Sequence, residues 1–181
     1  MAFIVERPGL YDLLVDRGRV AYRSVGVPTG GPADRTAWML ANALVGNSPE
    51  TGLALEVTLT GPVLRATACH ACAFVGAPFA LRVAGHPMSL GTVWHVEPGQ
   101  LIEIGSATSG LRGYLAVAGG FDHPRILGSR SALQPLRKGQ ELVCPSLRLA
   151  GRRWREPLPM PPCFRNRAYL FACYPGRSGR R

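Results

Sequence analysis

Residues 34–59 read DRTAWMLANALVGNSPETGLALEVTL, and within this stretch the apolar spacing changes from three and four residues to two. Its first half places apolar side chains on one helical face behind Asp34, whose carboxylate can cap the free amides of a first turn. The pattern predicts one main helix over about 35–45, ended by Gly46. Residues 54–59 then have the short apolar pattern of a strand.

Strand-type patterns lie on both sides of that helix, each bounded by Gly, Pro or polar turns. The predicted strands are 2–5, 10–15, 54–59, 73–75, 80–83, 93–96, 101–104 and 114–117. The 22 glycines and 16 prolines favour tight turns over further long helices. The sequence therefore predicts a mainly β fold with a barrel-like or sandwich-like arrangement.

The formal charge of +10 is concentrated near the C-terminus. Residues 151–181 hold eight arginines and one glutamate, so they carry +7 and residues 1–150 carry +3. Because the basic stretch lacks regular basic–aromatic interleaving, a solvated tail is favoured over a nucleic-acid-binding arm. We predict a first domain over 1–149, a Pro/Arg-rich linker over 150–167, and a basic tail or the start of a second half over 168–181.

Five cysteines, an odd number, do not form the paired framework of a small secreted domain, and no signal peptide opens the chain. This cysteine usage predicts a reducing cytoplasm, and the apolar runs are too short for a membrane span, so we expect a soluble cytoplasmic protein. Cys69 and Cys72 have the spacing of half a zinc site, but no second ligand pair is evident. The pair is better interpreted as the edge of a buried strand, and no metal site is predicted.

Residues 26–34 form the loop most able to hold an anion, because glycines let backbone amides converge and a helix start adds its dipole. A simple turn with a helix cap explains the same residues. Four carboxylates lie beside Gly-rich turns or strand ends: Asp16, Asp34, Glu56 and Asp122. Each can serve a site, or act as a cap, a turn residue or an ion-pair partner.

Three stretches taken together, 9–31, 32–64 and 112–131, resemble one known family. They contain, in order, VGVP, ANALVGN, ALEVTL, YLAVAGGFD and LGSRS. The sequence resembles, over about 3–149, the family of biotin-dependent carboxyltransferases and 5-oxoprolinase C subunits, also called allophanate hydrolase subunit 2. The resemblance implies a cyclophilin-like β-barrel, with only the N-terminal half of a longer two-part domain present.

The same resemblance implies a component, similar to the C subunit, of an ATP-dependent 5-oxoprolinase, which opens the lactam of 5-oxoproline to glutamate together with its A and B subunits. ATP would be used in that complex. One alternative is the carboxyltransferase domain of a urea carboxylase-type enzyme, with biotin on a partner. A non-catalytic binding or regulatory module is the other alternative.

Both reactions activate an amide, so developing negative charge is best met by fixed backbone amides and an arginine. By resemblance, the predicted catalytic residues are Asp16, Asp34 and Arg130, and the predicted cofactor-binding residues are Arg17, Gly30, Gly31, Gly119 and Gly120. The sequence departs from the family at two places. Residues 30–34 lack the family's hydroxyl before the helix, and 132–139 lack its Gly-rich loop.

Overall fold

A computed structural model describes residues 1–48 and 52–145. The predicted linker over 150–167 and the predicted tail over 168–181 lie outside the described residues. In the described part, strand bounds are β1 Ala2–Arg7, β2 Leu13–Val15, β3 Ala54–Thr58, β4 Val63–Ala66, β5 His70–Gly76, β6 Phe79–Val83, β7 His86–Pro87, β8 Val93–Val96, β9 Leu101–Ala107, β10 Arg112–Val117 and β11 Glu141–Val143. Helix α1 is Arg35–Leu44, and Val20–Val25 is a 3₁₀ helix.

The strands form two antiparallel sheets. The larger sheet has the order β11-β1-β4-β9-β6-β7, and the smaller has the order β2-β3-β10-β5-β8. Strand β1 pairs with β11, so the beginning of the chain lies beside residues 141–143. The predicted mainly β, barrel-like class is confirmed.

The smaller sheet is buried on both faces. Along β10, Leu115 and Val117 join the core between the sheets, whereas Tyr114 and Ala116 join a second cluster under helix α1. Two covered faces explain why β10 is apolar over residues 114–117 rather than alternating with polar residues. Each fully buried large apolar side chain, such as Phe74 in the inter-sheet core, stabilises the fold by about 1.5–3 kcal/mol.

Helix α1 packs on the outer face of the smaller sheet. The small side chains of the alanines at positions 54, 71 and 73 on that face leave space for Trp38. The indole of Trp38 is buried and donates a hydrogen bond to the Val15 carbonyl at 3.2 Å. Asp34 caps the helix by accepting from the Ala37 amide at 3.0 Å, so the predicted helix and its cap are confirmed.

The structure differs from the predicted strands at several places. The predicted strand 10–15 begins only at Leu13, because the Gly9 amide donates to the Asp12 carboxylate and turns the chain. The predicted strand 73–75 begins earlier, at His70. Strands β4, β7 and β11 and the 3₁₀ helix were not predicted, since none has more than six residues and none carries a distinct period.

Candidate functional site

The carboxylate of Asp16 joins the loop after β2 to residues 129–131. It accepts hydrogen bonds from the hydroxyls of Ser129 at 2.6 Å and Ser131 at 2.7 Å, and from the Arg130 amide at 2.6 Å. The Gly18 amide donates a fourth, at 2.8 Å. Four hydrogen bonds fix the position of this carboxylate. Asp16 in turn holds the backbone of Arg130 in place.

These hydrogen bonds lower the pKa of the Asp16 carboxyl. Burial alone would raise the pKa of this carboxyl, but the hydrogen bonds from Ser129, Arg130, Gly18 and Ser131 outweigh burial and hold its pKa below the ordinary value. Asp16 is therefore ionised throughout the neutral range. Such a group orients its neighbours well and is a poor proton carrier near pH 7.

Ser131 connects Asp16 to the glycine loop. Its hydroxyl accepts from the Asp16 amide at 3.0 Å and from the Gly31 amide at 3.2 Å. Gly30 has φ +60°, and a Cβ added there would lie 3.0 Å from the Cβ of Ser131. The close approach and the left-handed backbone both require glycine at position 30.

Arg19 is buried beneath the same loop, with 3% of its surface exposed. Its guanidinium donates to the carbonyls of Ile126 and Ser131, while its backbone amide donates to the Thr29 carbonyl. Arg19 thus joins the segment before the 3₁₀ helix to the two segments that flank the site. Arg17, which the sequence favoured for cofactor binding, is exposed.

A second polar network fixes the start of helix α1. The buried carboxylate of Glu56 accepts from the Tyr114 hydroxyl and the Ala33 amide, both at 2.8 Å. The Tyr114 oxygen in turn accepts from the Asp34 amide at 2.7 Å. Burial is the main reason that the pKa of Tyr114 is raised above its ordinary value. Asp34 therefore acts as a helix cap within this network, and no hydrogen bond joins it to Asp16 among the described residues.

The side chain of Arg130 lies at a pair of adjoining clefts of about 400 Å³ and 530 Å³. Gly119 and Asp122 line the first cleft with it, and Asp122 also lines the second. The Arg130 Nη1 lies 3.7 Å from the Asp122 Oδ1, which is an ion pair without a hydrogen bond. The structure thus brings Arg130, Gly119 and Asp122 to one concave surface.

Three of the four glycine amides predicted to bind a cofactor are engaged within the chain. The Gly119 amide donates to Asn47, the Gly120 amide to the Val117 carbonyl, and the Gly31 amide to Ser131. A nucleotide phosphate would have to displace these acceptors to reach the three N–H groups. The side chain of Arg130 at the clefts can meet a phosphate or carboxylate without such rearrangement.

Cys72 lies within β5, and Cys69 directly precedes that strand. In the part of the chain that the structure describes, no group of three His, Cys, Asp or Glu side chains is arranged to hold a metal ion. Cys72 lies in the inter-sheet core, and Cys69 contacts Glu97 through its sulfur. Residues 1–48 and 52–145 also contain no helix with the length and apolar character that a bilayer crossing needs.

Sequence reasoning missed three residues of this site: Ser129, Ser131 and Arg19. The two serines were quoted only as part of a motif, although alternating hydroxyls on either side of Arg130 are suited to bind one carboxylate. Arg19 was not selected because its side-chain partners are backbone carbonyls, which leave no sequence signal. An alternating Ser-x-Ser is the one local pattern that could have drawn attention to the cluster.

The comparisons with known proteins agree with this architecture. The family described as carboxyltransferase domain, subdomain A and B, matches residues 25–153. Urea amidolyase of Saccharomyces cerevisiae is 38% identical over 131 residues, which are 72% of this chain and 7% of that protein. The C subunit of the Escherichia coli 5-oxoprolinase is 34% identical over 127 residues, which are 70% of this chain and 41% of that protein.

Solved structures give the same result. TTHA0988 superposes with a TM-score of 0.78 at 37% identity, over 88% of this chain and 63% of that chain. The urea amidolyase of K. lactis superposes with a TM-score of 0.76 at 33% identity, over 79% of this chain and 9% of that chain. This chain therefore spans less than half the length of the two curated relatives above. On the extent of these matches, the chain belongs to the carboxyltransferase domain family, of which it covers the N-terminal part.

Proposed function

We propose that this chain is a component, similar to the C subunit, of an ATP-dependent 5-oxoprolinase, in which it acts with homologues of the A and B subunits. The observation that carries the proposal is the placement of Arg130, whose backbone is fixed by Asp16 and whose side chain lies at the clefts. Its similarity to the C subunit of 5-oxoprolinase supports the same assignment. The complex would act in the cytoplasm on a lactam substrate.

In this proposal Arg130 binds the negative charge of the substrate and of the oxygen that becomes more negative as the amide is attacked. A guanidinium stabilises such charge, and here Asp16 holds the backbone that carries it. Asp16 is a positioning residue, since its carboxylate is saturated by donors. ATP supplies activation of the amide in the complex, and this chain's residues bind and orient the substrate.

A carboxyltransferase role in a urea carboxylase-type enzyme is the second candidate. It is favoured by the 38% identity to a urea amidolyase. In that case the clefts would receive a carboxyl group carried on a partner's biotin, and Arg130 would bind that carboxylate. Both candidates therefore require the same guanidinium, but they differ in the acceptor and in the partner.

The test is ATP hydrolysis that depends on 5-oxoproline, measured with glutamate formation after this chain is mixed with homologues of the A and B subunits from the same genome. We expect turnover that requires this chain and falls at least about 100-fold in Arg130→Gln, as for loss of one charge-stabilising donor. Arg82→Gln, on the exposed side of β6, is the matched control.

Absence of turnover, with all three proteins folded and a full-length C subunit restoring activity, would reject the 5-oxoprolinase role. Carboxyl transfer from carboxybiotin to urea, measured with the same chain and its Arg130→Gln variant, would then support the second candidate.

A further inference from the structure

We propose that the exposed 3₁₀ helix and the turn before Ser129 form a docking surface for another protein subunit, whose contact face presents apolar side chains flanked by carboxylates. This turn–helix surface comprises residues 20–26, VAYRSVG, and 124–128, PRILG. The inference rests on the proposed function only for the partner used in its test, the homologue of the B subunit.

The two segments of the turn–helix surface lie side by side. Arg19, which precedes the 3₁₀ helix, donates from its Nε atom to the Ile126 carbonyl at 3.3 Å and from a second guanidinium nitrogen to the Ser131 carbonyl. Because Arg19 is itself buried, it anchors both segments without using the side chains of the surface. Residues 20–26 and 124–128 are all exposed.

The largest side chains of this surface are mainly apolar. Val20 and Val25 are 71% and 72% exposed, and Ile126 and Leu127 are each 42% exposed. The 3₁₀ helix contributes no buried residue, so its apolar side chains take no part in the core of the described chain. Exposed apolar side chains that cluster rather than scatter mark interaction sites on soluble proteins.

Leu127 also has a backbone conformation that is unfavourable for its residue type. Its φ is +50°, and Gly128 after it has φ +80°. Backbone hydrogen bonds in both directions between Ile126 and Ser129 close this two-residue turn, and such turns favour Asn or Gly where both central residues have positive φ. An exposed leucine held in this way is a cost to the free chain, and contacts with a partner would offset that cost.

The charge of the surface specifies the partner further. Residues 17–33 and 123–131 contain five arginines and no Asp or Glu. Of these arginines, Arg17, Arg23 and Arg125 are exposed, and none of the three is in an ion pair among the described residues. Carboxylates of a partner can therefore pair with them.

The same charge argues against other occupants. Residues 151–181 carry +7, so the surface would repel this part of the chain. A symmetric dimer would use the same surface on both copies, which would set arginine against arginine. A nucleic acid would fit the arginines but would leave the four aliphatic side chains without apolar contacts, since bases stack on aromatic rings.

The turn–helix surface also adjoins the second cleft. Arg125 belongs to the surface and lines that cleft together with Arg130. A subunit bound to the surface would therefore stand beside the Arg130 guanidinium and could add its own residues to the cleft.

The experiment measures the Kd between the full chain and the B-subunit homologue from the same genome by calorimetry. We expect a complex that Val25→Ser and Leu127→Asn each weaken at least about 10-fold, as for apolar residues at the centre of an interface. Arg23→Glu and Arg125→Glu should also weaken it, mainly through slower association, and should reduce its dependence on salt. Variants in two separate segments keep the test valid if one of them does not fold.

Leu111→Ser and Arg82→Glu are the matched controls, because both residues are exposed and lie outside the surface. Each should change the Kd by less than about 2-fold. Leu127→Asn provides a second readout, since asparagine tolerates a left-handed backbone better than leucine does. Its midpoint of urea denaturation should equal or exceed that of the unmodified chain while its binding weakens, and a lower midpoint would overturn the role given to Leu127.

An unchanged Kd in all four surface variants, or no complex with the B-subunit homologue, would overturn the proposal. Self-association of the chain, or binding to anionic vesicles or duplex DNA, would overturn it in favour of another occupant if the same variants abolished that binding. A complex that depends on the surface but gives no turnover when the A-subunit homologue is added would leave this inference standing and reject the 5-oxoprolinase role. Normal binding and normal turnover in the four variants would reject this inference alone.

Discussion

The Oδ1 atom of Asp16 accepts a 2.6 Å hydrogen bond from the hydroxyl of Ser129, across 113 residues of sequence. This bond and its neighbours at Arg130 and Ser131 join the loop after β2 to the motif that holds the cleft arginine. The position of Arg130 thus depends on a residue that does not itself line either cleft.

Replacing Asp16 by Asn should lower the free energy of unfolding by about 2–4 kcal/mol at pH 7, since a buried charged acceptor is lost and an amide N–H₂ then faces other donors. Urea denaturation gives the value. Asp122→Asn, which changes an exposed carboxylate, should alter stability by less than about 0.5 kcal/mol. Equal effects of the two substitutions would contradict the assigned role of Asp16.

The stability given by Asp16 should also depend on pH. Because the folded-state pKa of this carboxyl lies below its ordinary value of 3.8, its contribution is fully present above about pH 4 to 5. It is lost as the pH falls through the folded-state pKa. The difference in unfolding free energy between wild type and Asp16→Asn should therefore shrink below about pH 4, and a constant difference would argue against this.

Asp12 should have the opposite pH dependence. Burial raises the pKa of Asp12 from 3.8 to about 6, and its Oδ1 atom has no hydrogen-bond partner among the described residues. Ionisation of this carboxyl therefore destabilises the folded state above about pH 6, and protonation removes that effect as the pH falls towards 4. Asp12→Asn should stabilise the protein by about 1–3 kcal/mol at pH 7.5 and by much less at pH 4.

Urea denaturation of wild type and Asp12→Asn at several pH values checks this sign. A stabilisation that is larger at pH 4 than at pH 7.5 would show that the Asp12 carboxyl is not protonated more readily in the folded state.

Tyr114→Phe should lower the free energy of unfolding by about 1–3 kcal/mol and loosen the start of helix α1. The substitution removes the hydroxyl that donates to Glu56 and accepts from the Asp34 amide, and both partners are left without that bond. Hydrogen exchange at the Asp34 amide should become faster. Tyr22→Phe, on the exposed 3₁₀ helix, should leave both quantities unchanged.

Comparing the unfolding free energies of Gly30→Ala and Gly26→Ala separates the cost of backbone strain from the cost of a steric clash. Both positions have positive φ, +60° and +79°, so each alanine should cost about 1–2 kcal/mol of unfolding free energy. Only at Gly30 would the new Cβ meet Ser131, since nothing lies within 4 Å at Gly26. We expect a clearly larger loss for Gly30→Ala, and identical losses would mean that the glycine loop does not pack tightly on Ser131.

Helix α1 and its cap could be predicted because their determinants are local. Asp34 and the apolar face that follows it lie within about three turns, and the spacing alone specifies a helix. The same holds for β10, in which residues 114–117 form one apolar run, and for β3, in which Leu55 and Val57 lie on either side of Glu56. Strand β11 could not be predicted, because three residues carry no period and its place is decided by pairing with β1.

Only some residues of the candidate site could be selected from the sequence, and their arrangement could not be predicted. Asp16, Gly31 and Arg130 were selected from glycine-rich turns and from the family resemblance, and the structure joins them through Ser131. That junction is a contact between segments about 100 residues apart, which no local pattern specifies. Asp34 was chosen for the same reasons and lies instead in the network of Glu56 and Tyr114.

Most hydrogen bonds of the Asp16 carboxylate can form only late in the synthesis of the chain. Three of its four partners lie 113 to 115 residues later in the chain, and β1 likewise cannot pair with β11 until residues 141–143 have been made. While a ribosome makes the chain, the early carboxylate has to remain hydrated until the LGSRS segment emerges. A slow codon or a pause placed before that segment would therefore lengthen the time for which the nascent chain exposes an incomplete sheet edge to other proteins.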